Sequence, residues 1–323
     1  METKQYTFAL AGNQNSGKTT LFNVLTGSNQ HVGNWPGVTV EQKTGLLIHH
    51  HHGNDTHFGL SALKGKRGMT EAENSDVKIV DLPGIYSLSP FSMEEVVTRN
   101  FITLDKPDVV INIVDATNLE RNLYLTLQLR QLGTPMVIAL NMMDEVRAHG
   151  DVIKLDVLEA QLGVPVIAIC ARKGEGIDEL VRRSMECAEK HLVPEELDIC
   201  TGPAHKAIHS IRHLVEEKAN AAGVESRYAA TKLLEGDEPM QELLKLTDED
   251  KHIIDEILRE MEETVGMERA AVMADIRYTY IEKLLDKAMI RKESDVNALS
   301  ASDKIDRVLT HPVLAIPVFL LAM

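Results

Sequence analysis

Gly12-Asn13-Gln14-Asn15-Ser16-Gly17-Lys18-Thr19 fits the pattern G-x-x-x-x-G-K-[ST] and follows the apolar run Tyr6-Thr7-Phe8-Ala9-Leu10-Ala11. The pattern requires a strand feeding a glycine-bearing turn and then a helix, here expected to begin near Thr20. The glycines let successive backbone N–H groups turn inward around a polyphosphate, and the helix N-terminus adds partial positive charge. Gly12, Asn13, Asn15, Ser16, Gly17, Lys18, Thr19 and Thr20 are therefore the phosphate-site candidates. Lys18 is expected to reach the β- and γ-phosphates and the Thr19 hydroxyl to bind Mg²⁺.

The 323 residues suggest about two domains. With 44% hydrophobic and 26% charged residues the chain has an ordinary globular composition and ample core. A net charge of -15 argues against a nucleic-acid surface, which needs a basic stripe, but not against a local phosphate site. Cys170, Cys187 and Cys200 make no disulfide framework, and the polar opening Met1-Glu2-Thr3-Lys4-Gln5 is no secretory signal, so a reducing cytoplasmic setting is expected. The run from Pro312 to Met323 is apolar yet shorter than the roughly 20 residues that span a bilayer. It either packs into the fold or is cut inside a membrane segment, and the second is expected.

Up to about residue 190, short apolar runs alternate with helical patterns. Strands are expected at 6–11, 77–81, 109–115, 136–141 and 165–170, without polar alternation, as for parallel strands covered on both faces. Helices are expected at 119–132 and 156–162. From 200 to 290 apolar residues recur every three or four positions, as in Ile208, Ile211, Leu214 and Val215 and in Ile253, Ile254, Ile257, Leu258 and Met261, which reads as a helical unit. The expected division is 1–190, an α/β nucleotide-binding domain with a mostly parallel sheet flanked by helices; 191–290, a small all-α domain; and 291–323, a linker and the start of a membrane segment. Residues 49–76, with His49 to His52, are polar and glycine-bearing and join two strands of a hairpin, about 40–48 and 77–81. They read as a mobile or engineered loop ahead of a metal site.

Thr39, on a loop after the first helix, is placed to close over Mg²⁺ and the γ-phosphate, so that the loop orders with nucleotide state. Asp81 ends a strand and is expected to hold Mg²⁺, with the Gly84 N–H at the γ-phosphate. Asn141-Met142-Met143-Asp144 ends another strand. A carboxylate at Asp144 accepts two hydrogen bonds from guanine N1–H and its exocyclic amine, a pair adenine lacks, while Asn141 ties this loop to the P-loop. At the next strand end, Cys170-Ala171-Arg172 places the Ala171 N–H for guanine O6.

With all of these motifs in order, the chain resembles the translation-factor-like, Ras-like P-loop GTPases. Met142 replaces the lysine usual in the guanine motif, so an apolar side chain would stack on the base. Cys170 replaces the common serine, which is expected to weaken a supporting hydrogen bond. Ile85 stands where many of these enzymes carry a water-orienting glutamine, so hydrolysis must rely on backbone groups, an ion or a partner. Asn15 matches the asparagine that coordinates K⁺ in potassium-stimulated GTPases, with carbonyls around Gly33 to Trp35 expected to complete the cage. Asn15, Lys18, Thr39 and Gly84 are the catalytic candidates.

Taken together, Gly33-Asn34-Trp35-Pro36-Gly37-Val38-Thr39-Val40-Glu41, Asp81-Leu82-Pro83-Gly84-Ile85-Tyr86-Ser87-Leu88, Ser92-Met93-Glu94-Glu95, Ala274-Asp275-Ile276-Arg277-Tyr278 and the run from Asp303 to Pro312 resemble the ferrous-iron transport protein B family. The resemblance implies a cytoplasmic G domain, a helical domain that slows GDP release, and a following membrane domain that carries Fe²⁺. It also implies GTP or GDP with Mg²⁺ and K⁺, small accessory Feo proteins, a homo-oligomer, and a soluble fragment at the cytoplasmic face of the bacterial inner membrane. GTP would order residues 30–40 and 82–95, and hydrolysis would release them. Glu235/Glu238 and Glu260/Glu263 have E-x-x-E spacing but read as a solvated acidic face. A ribosome- or RNA-associated GTPase would share the motifs but needs a basic appendage. A GTP-sensing adaptor that does not hydrolyse is compatible with Ile85.

Overall fold

The computed structural model describes residues 5–27, 30–48, 77–89 and 92–292. His49 to His52 with the rest of 49–76, and the tail beyond 292, lie outside them. The first part of the chain runs β1 (Tyr6–Gly12), α1 (Lys18–Thr26), β2 (Gln30–Asn34), β3 (Glu41–Leu46), β4 (Val77–Asp81), α2 (Met93–Asn100), β5 (Val109–Asp115), α3 (Leu119–Arg130), β6 (Met136–Asn141), α4 (Met143–His149), β7 (Val152–Ile153), α5 (Leu155–Leu162), β8 (Val166–Ala168) and α6 (Ile177–Glu189). Helices α7 (Gly202–Ala221), α8 (Ser226–Leu234), α9 (Glu238–Leu243), α10 (Asp248–Val265) and α11 (Arg269–Ala288) follow, then β9 (Met289–Ile290).

The strands order as β2-β3-β4-β1-β5-β6-β8. β4, β1, β5, β6 and β8 are parallel, while β3 lies antiparallel to β4 and β2 antiparallel to β3 at one edge. Both faces of the parallel strands are covered, which explains the lack of alternation. Phe8 and Leu10 of β1 face α1 and α6, whereas Ala9 and Ala11 face the opposite layer with α3 and α5. The same period of two carries Ile111 and Ile113 to one side and Val110 and Val114 to the other.

The helical region is set by its caps. Thr247 and Asp250 form a reciprocal capping box at the start of α10, and Gly266, at φ 74°, ends it in the left-handed region that glycine enters without strain. Asp237 caps α9 through the Met240 N–H, and the Glu225 carboxylate caps α8. Ile254, Leu258 and Met261 of α10 are buried at helical spacing, while Ile253, expected with them, is exposed.

The core beside α3 and α5 continues without a break into α7, α8, α10 and α11. Tyr124 of α3 stacks on Tyr278 of α11 with centroids 5.1 Å apart, and the Tyr280 hydroxyl donates to the Gln161 carbonyl at 2.9 Å. β9 pairs antiparallel with β7. Arg99 of α2 reaches Asp237 at 3.1 Å, both buried. Arg277 pairs with Glu235 at 2.6 Å, and Glu235 also meets Lys232 at 2.7 Å. Glu235 is thus a member of a buried ion network. Among the described residues no helix is long and apolar enough to cross a membrane.

Candidate nucleotide site

The P-loop is shaped by two glycines where an added Cβ would collide with its surroundings. A Cβ at Gly12 would stand 2.5 Å from the Ile113 carbonyl oxygen and 2.9 Å from Ser16 Oγ. Gly17 lies at φ 91°, and a Cβ there would land on the Asn141 amide. Asn15 takes the left-handed region too, at φ 65°, a conformation asparagine tolerates better than most residues. The Ser16 N–H and hydroxyl both donate to the Asn13 carbonyl, closing the turn. Helix α1 then starts at Lys18, two residues earlier than expected.

Helix α1 has no side-chain cap and no acidic residue in its first turn, whereas α2 carries both a capping box and two glutamates. The leading N–H groups of a helix have no partner within it. At α1 they face the concavity of the glycine turn, the arrangement that suits an anion. Thr19 and Thr20 lie at this opening, both exposed. Lys18 Nζ sits 2.5 Å from Asp81 Oδ1, at the end of the neighbouring strand. Burial pushes the Asp81 carboxyl above its ordinary value, and Lys18 pulls it back. A cation and a carboxylate therefore share the mouth of the loop.

Asp81-Leu82-Pro83-Gly84 is bound to the P-loop by backbone: Leu82 N–H donates to the Leu10 carbonyl and Ile85 N–H to that of Gly12. The Ile85 side chain is buried in the core rather than aimed at the loop mouth. Sequence reading missed Gln14, whose amide donates to the Gly84 carbonyl at 3.5 Å and whose Oε1 accepts from the Tyr86 hydroxyl at 3.4 Å. The Arg121 guanidinium lies 4.2 Å over the Tyr86 ring, and its backbone carbonyl accepts from the Asn13 amide. Only the exposed x-position of the motif hinted at Gln14.

Two strands along the sheet from β1, Asn141 joins two loops. Its Nδ2 donates to the Ser16 carbonyl at 3.0 Å and its Oδ1 accepts from the Ala171 N–H at 3.0 Å. The link to the P-loop is as expected. The Ala171 N–H, expected at guanine O6, is engaged by Asn141 instead. Met142 is half-buried at φ 63°, opening α4. Asp144 in the first turn of α4 meets Lys173 Nζ at 2.9 Å. Hydrogen bonds from Lys173 and then from the Cys170 thiol hold its carboxyl down to about 2, so it is ionised at neutral pH. Lys173, next to the expected Arg172, was missed because only the fold brings it to Asp144.

The segment around Thr39 departs most from expectation. Gln30–Asn34, read as loop, is an edge strand, and Gly33 lies in its ladder opposite Gln42. The Trp35 carbonyl accepts from the Val38 N–H at 3.2 Å, and the buried indole packs edge-on against Phe101 with centroids 5.2 Å apart. The two carbonyls expected to complete a K⁺ cage with Asn15 therefore belong to a hairpin that β4 separates from the P-loop strand. Thr39 is exposed at the tip of that hairpin. Since Lys43 of β3 stands opposite Asp81 of β4, the tip projects beyond the same end of the sheet as the P-loop. Ligands of open α/β sheets bind at that end.

The model of the family described as ferrous iron transport protein B matches residues 6–65 and 57–184, and that of the FeoB cytosolic helical domain matches 203–290. The chain is 37% identical to the Fe(2+) transport protein A/Fe(2+) transporter FeoB fusion protein of Porphyromonas gingivalis over 98% of its own length and 35% of that protein's. It is 33% identical to the Fe(2+) transporter FeoB of Escherichia coli K12 over 99% of its length and 38% of the transporter's. It thus spans little more than a third of these relatives. Among solved structures, a GDP-bound mutant of the S. thermophilus FeoB G-domain superposes with a TM-score of 0.76 at 37% identity, covering 88% of this chain and 100% of that one. The cytosolic domain of T. maritima FeoB in a GDP form gives 0.71 at 29% identity, over 90% of this chain and 100% of that one. With both family models matched in order along one glycine-cradled α/β sheet and its helical companion, the chain belongs to the ferrous iron transport protein B family.

Proposed function

We propose that this chain is the GTP-binding, slowly GTP-hydrolysing cytoplasmic part of a ferrous-iron membrane transporter, Mg²⁺-dependent and K⁺-stimulated, regulating Fe²⁺ uptake. The observation that carries the nucleotide reading is the uncapped N-terminus of α1, opening onto a turn where an added Cβ at either glycine would collide with its surroundings. The GDP and GMPPNP forms of similar FeoB cytosolic domains support a guanine nucleotide. Residues 1–190 form the G domain and 191–290 the helical domain in this reading, with 291–323 leading into a membrane domain. The fusion protein of P. gingivalis makes a Feo accessory protein a fitting partner.

Lys18 neutralises charge on the β- and γ-phosphates, and the α1 N–H groups orient them. Thr19, Thr39 and Asp81 would hold Mg²⁺, which would neutralise charge developing on the β- and γ-phosphates. Ionised Asp144 accepts the paired donors of guanine, Met142 flanks the base, and Asn141 holds base loop and P-loop in one register. Ile85 is buried and orients no water, so backbone at Gly84 and a cation at Asn15 take that part. Asn15 is assigned to K⁺ here, with backbone carbonyls around Gly33 to Trp35 completing the cage once the hairpin tip closes over the P-loop. Turnover of GTP and ATP in K⁺ and Na⁺, with Asp144→Ala and Asn15→Ala, tests this. GTP is expected to be cleaved slowly, ATP poorly, and faster in K⁺. Equal GTP and ATP turnover, or GTP selectivity surviving Asp144→Ala, overturns the base assignment. A K⁺ response that survives Asn15→Ala overturns the cation assignment.

A further inference from the structure

Helix α7 carries His205, His209 and His213 at four-residue intervals, which places the imidazoles along one stripe. The stripe faces solvent, away from the buried row Ala204, Ala207, Ile208, Ile211 and Val215. The rings of His209 and His213 approach to 4.5 Å between centroids at 74°, and those of His205 and His209 to 6.3 Å at 27°. α7 packs on α8 and α10, none of which carries a residue of the nucleotide site.

Two imidazoles at i and i+4 of a helix present their ring nitrogens to one point beside it, as the paired histidines of helical zinc motifs do. The 20-residue helix fixes that spacing before any ion arrives. His205 adds a second observation. Its Nδ1 lies 2.9 Å from Asp198 Oδ2. A carboxylate beside one ring nitrogen draws the proton there and leaves the Nε2 lone pair for a ligand, as at metal-ligating histidines. Asp198 is itself held by Arg227. Beyond His213, Glu216 Oε2 lies 3.9 Å from its Nδ1, within reach as a carboxylate ligand.

We propose that the α7 histidines form a solvent-open site for a divalent first-row transition ion, with His209 and His213 as the clamp and His205, oriented by Asp198, as the adjoining ligand. Among the described residues no three such side chains already converge on a point. The site is therefore a two-imidazole clamp completed by water and a neighbouring side chain, not a closed cage. Imidazole ligands follow the usual divalent order, so Cu²⁺, Ni²⁺ and Zn²⁺ bind more tightly than Fe²⁺. The inference is independent of the nucleotide reading.

The test uses the full chain with His49, His50, His51 and His52 replaced by alanine, which removes the other histidine run. Ni²⁺ alone is titrated by calorimetry, and anaerobic Fe²⁺ alone in parallel. One equivalent of Ni²⁺ is expected to bind. His209→Ala and His213→Ala should each weaken it at least about tenfold, and Asp198→Asn by about tenfold, the usual cost of removing the carboxylate that orients a ligating histidine. With Cu²⁺, electron paramagnetic resonance should show coordination by at least two imidazole nitrogens, with one fewer in either single variant. His209 and His213 lie on the solvent side of α7, so circular dichroism of their variants should be unchanged. Absence of Ni²⁺ binding, or binding of equal strength in the His209→Ala/His213→Ala double variant, overturns the proposal. Fe²⁺ binding lost in the same variants would extend the site to that ion.

Discussion

Arg99 and Asp237 tie α2, the helix that follows the Asp81–Gly84 loop, to the cap of α9 across 138 residues of sequence. Arg99 Nη1 donates to both carboxylate oxygens, at 3.1 and 3.3 Å, and the two side chains are only 10% and 3% exposed. At an effective dielectric of about 20, unit charges about 3 Å apart attract by roughly 5 kcal/mol, much of it offset by desolvation. Removing one partner strands the other charge, which costs about 3–5 kcal/mol for a buried pair. Arg99 keeps some contact with water, so about 3 kcal/mol is expected for each single change. Arg99→Met retains apolar bulk. Asp237→Asn retains an oxygen for the Met240 N–H, so the α9 cap survives and only the charge is lost. Each single variant should lower the melting temperature by about 6–12 °C, at about 2–4 °C per kcal/mol.

The double variant should cost about as much as either single, not the sum of both, giving a coupling of about 2–3 kcal/mol in a urea-denaturation cycle. If the singles add to within about 0.5 kcal/mol, the pair does not act as a unit. The claim that it locks α2 to the helical region then fails.

Gly17→Ala should lower stability by about 2–3 kcal/mol, combining roughly 1–2 kcal/mol of left-handed strain with loss of the Asn141–Ser16 hydrogen bond. It should also weaken fluorescent GDP binding, and an unchanged melting temperature would refute the steric reading. Asn141→Ala strands the buried Ala171 N–H and the Ser16 carbonyl, about 1–3 kcal/mol each, read as lost thermal stability and faster GDP release. Glu235 supplies a pH test. Burial pushes its carboxyl up, but Lys232 and then Arg277 outweigh burial and hold it below the ordinary 4.5. Near that value the unfolded chain binds more protons than the folded one, so stability rises with pH there. The contribution is fully present above about pH 4.5 and is lost as pH falls through the lower folded value. Glu235→Gln should be less stable than wild type at pH 7 and show a flatter acid limb between about pH 5 and 3 in urea midpoints. A parallel acid limb would refute the assignment.

The strands β4, β5 and β6 and the α1 turn were readable because their signals are local. Val77–Asp81, Val109–Asp115 and Met136–Asn141 are runs buried on both faces, and the glycines of 12–19 follow from close backbone approach. The Asn141–Asp144 turn was readable as a strand-end loop for the same reason, since both residues sit at a fixed offset from the end of β6. β2 was not, because Gln-His-Val-Gly-Asn is exposed throughout and has no apolar period. It is a strand only because β3 offers it an edge. Two-residue strands such as β7 and β9 are likewise made by their partner.

The same division runs through the site. Gln14 against Gly84, Lys173 against Asp144 and Trp35 against Phe101 are pairs whose members are individually ordinary residues, and their meaning arises only from juxtaposition. The Trp35–Phe101 contact has the furthest consequence. Phe101 opens a π-helical turn, Phe101–Asp105, that directly continues α2, a conformation seen mostly as isolated turns at functional sites. The indole of the Thr39 hairpin is thereby packed on the same segment that Arg99 anchors to the helical region. A shift of the hairpin tip toward the P-loop must either carry Trp35 out of this packing or pull on α2, where Asp237 holds it. The hairpin, α2 and α9 are therefore joined by two contacts on one short helix. The Arg99 cycle probes one of these joints, and the fluorescence of Trp35, the only tryptophan in the chain, reports on the other.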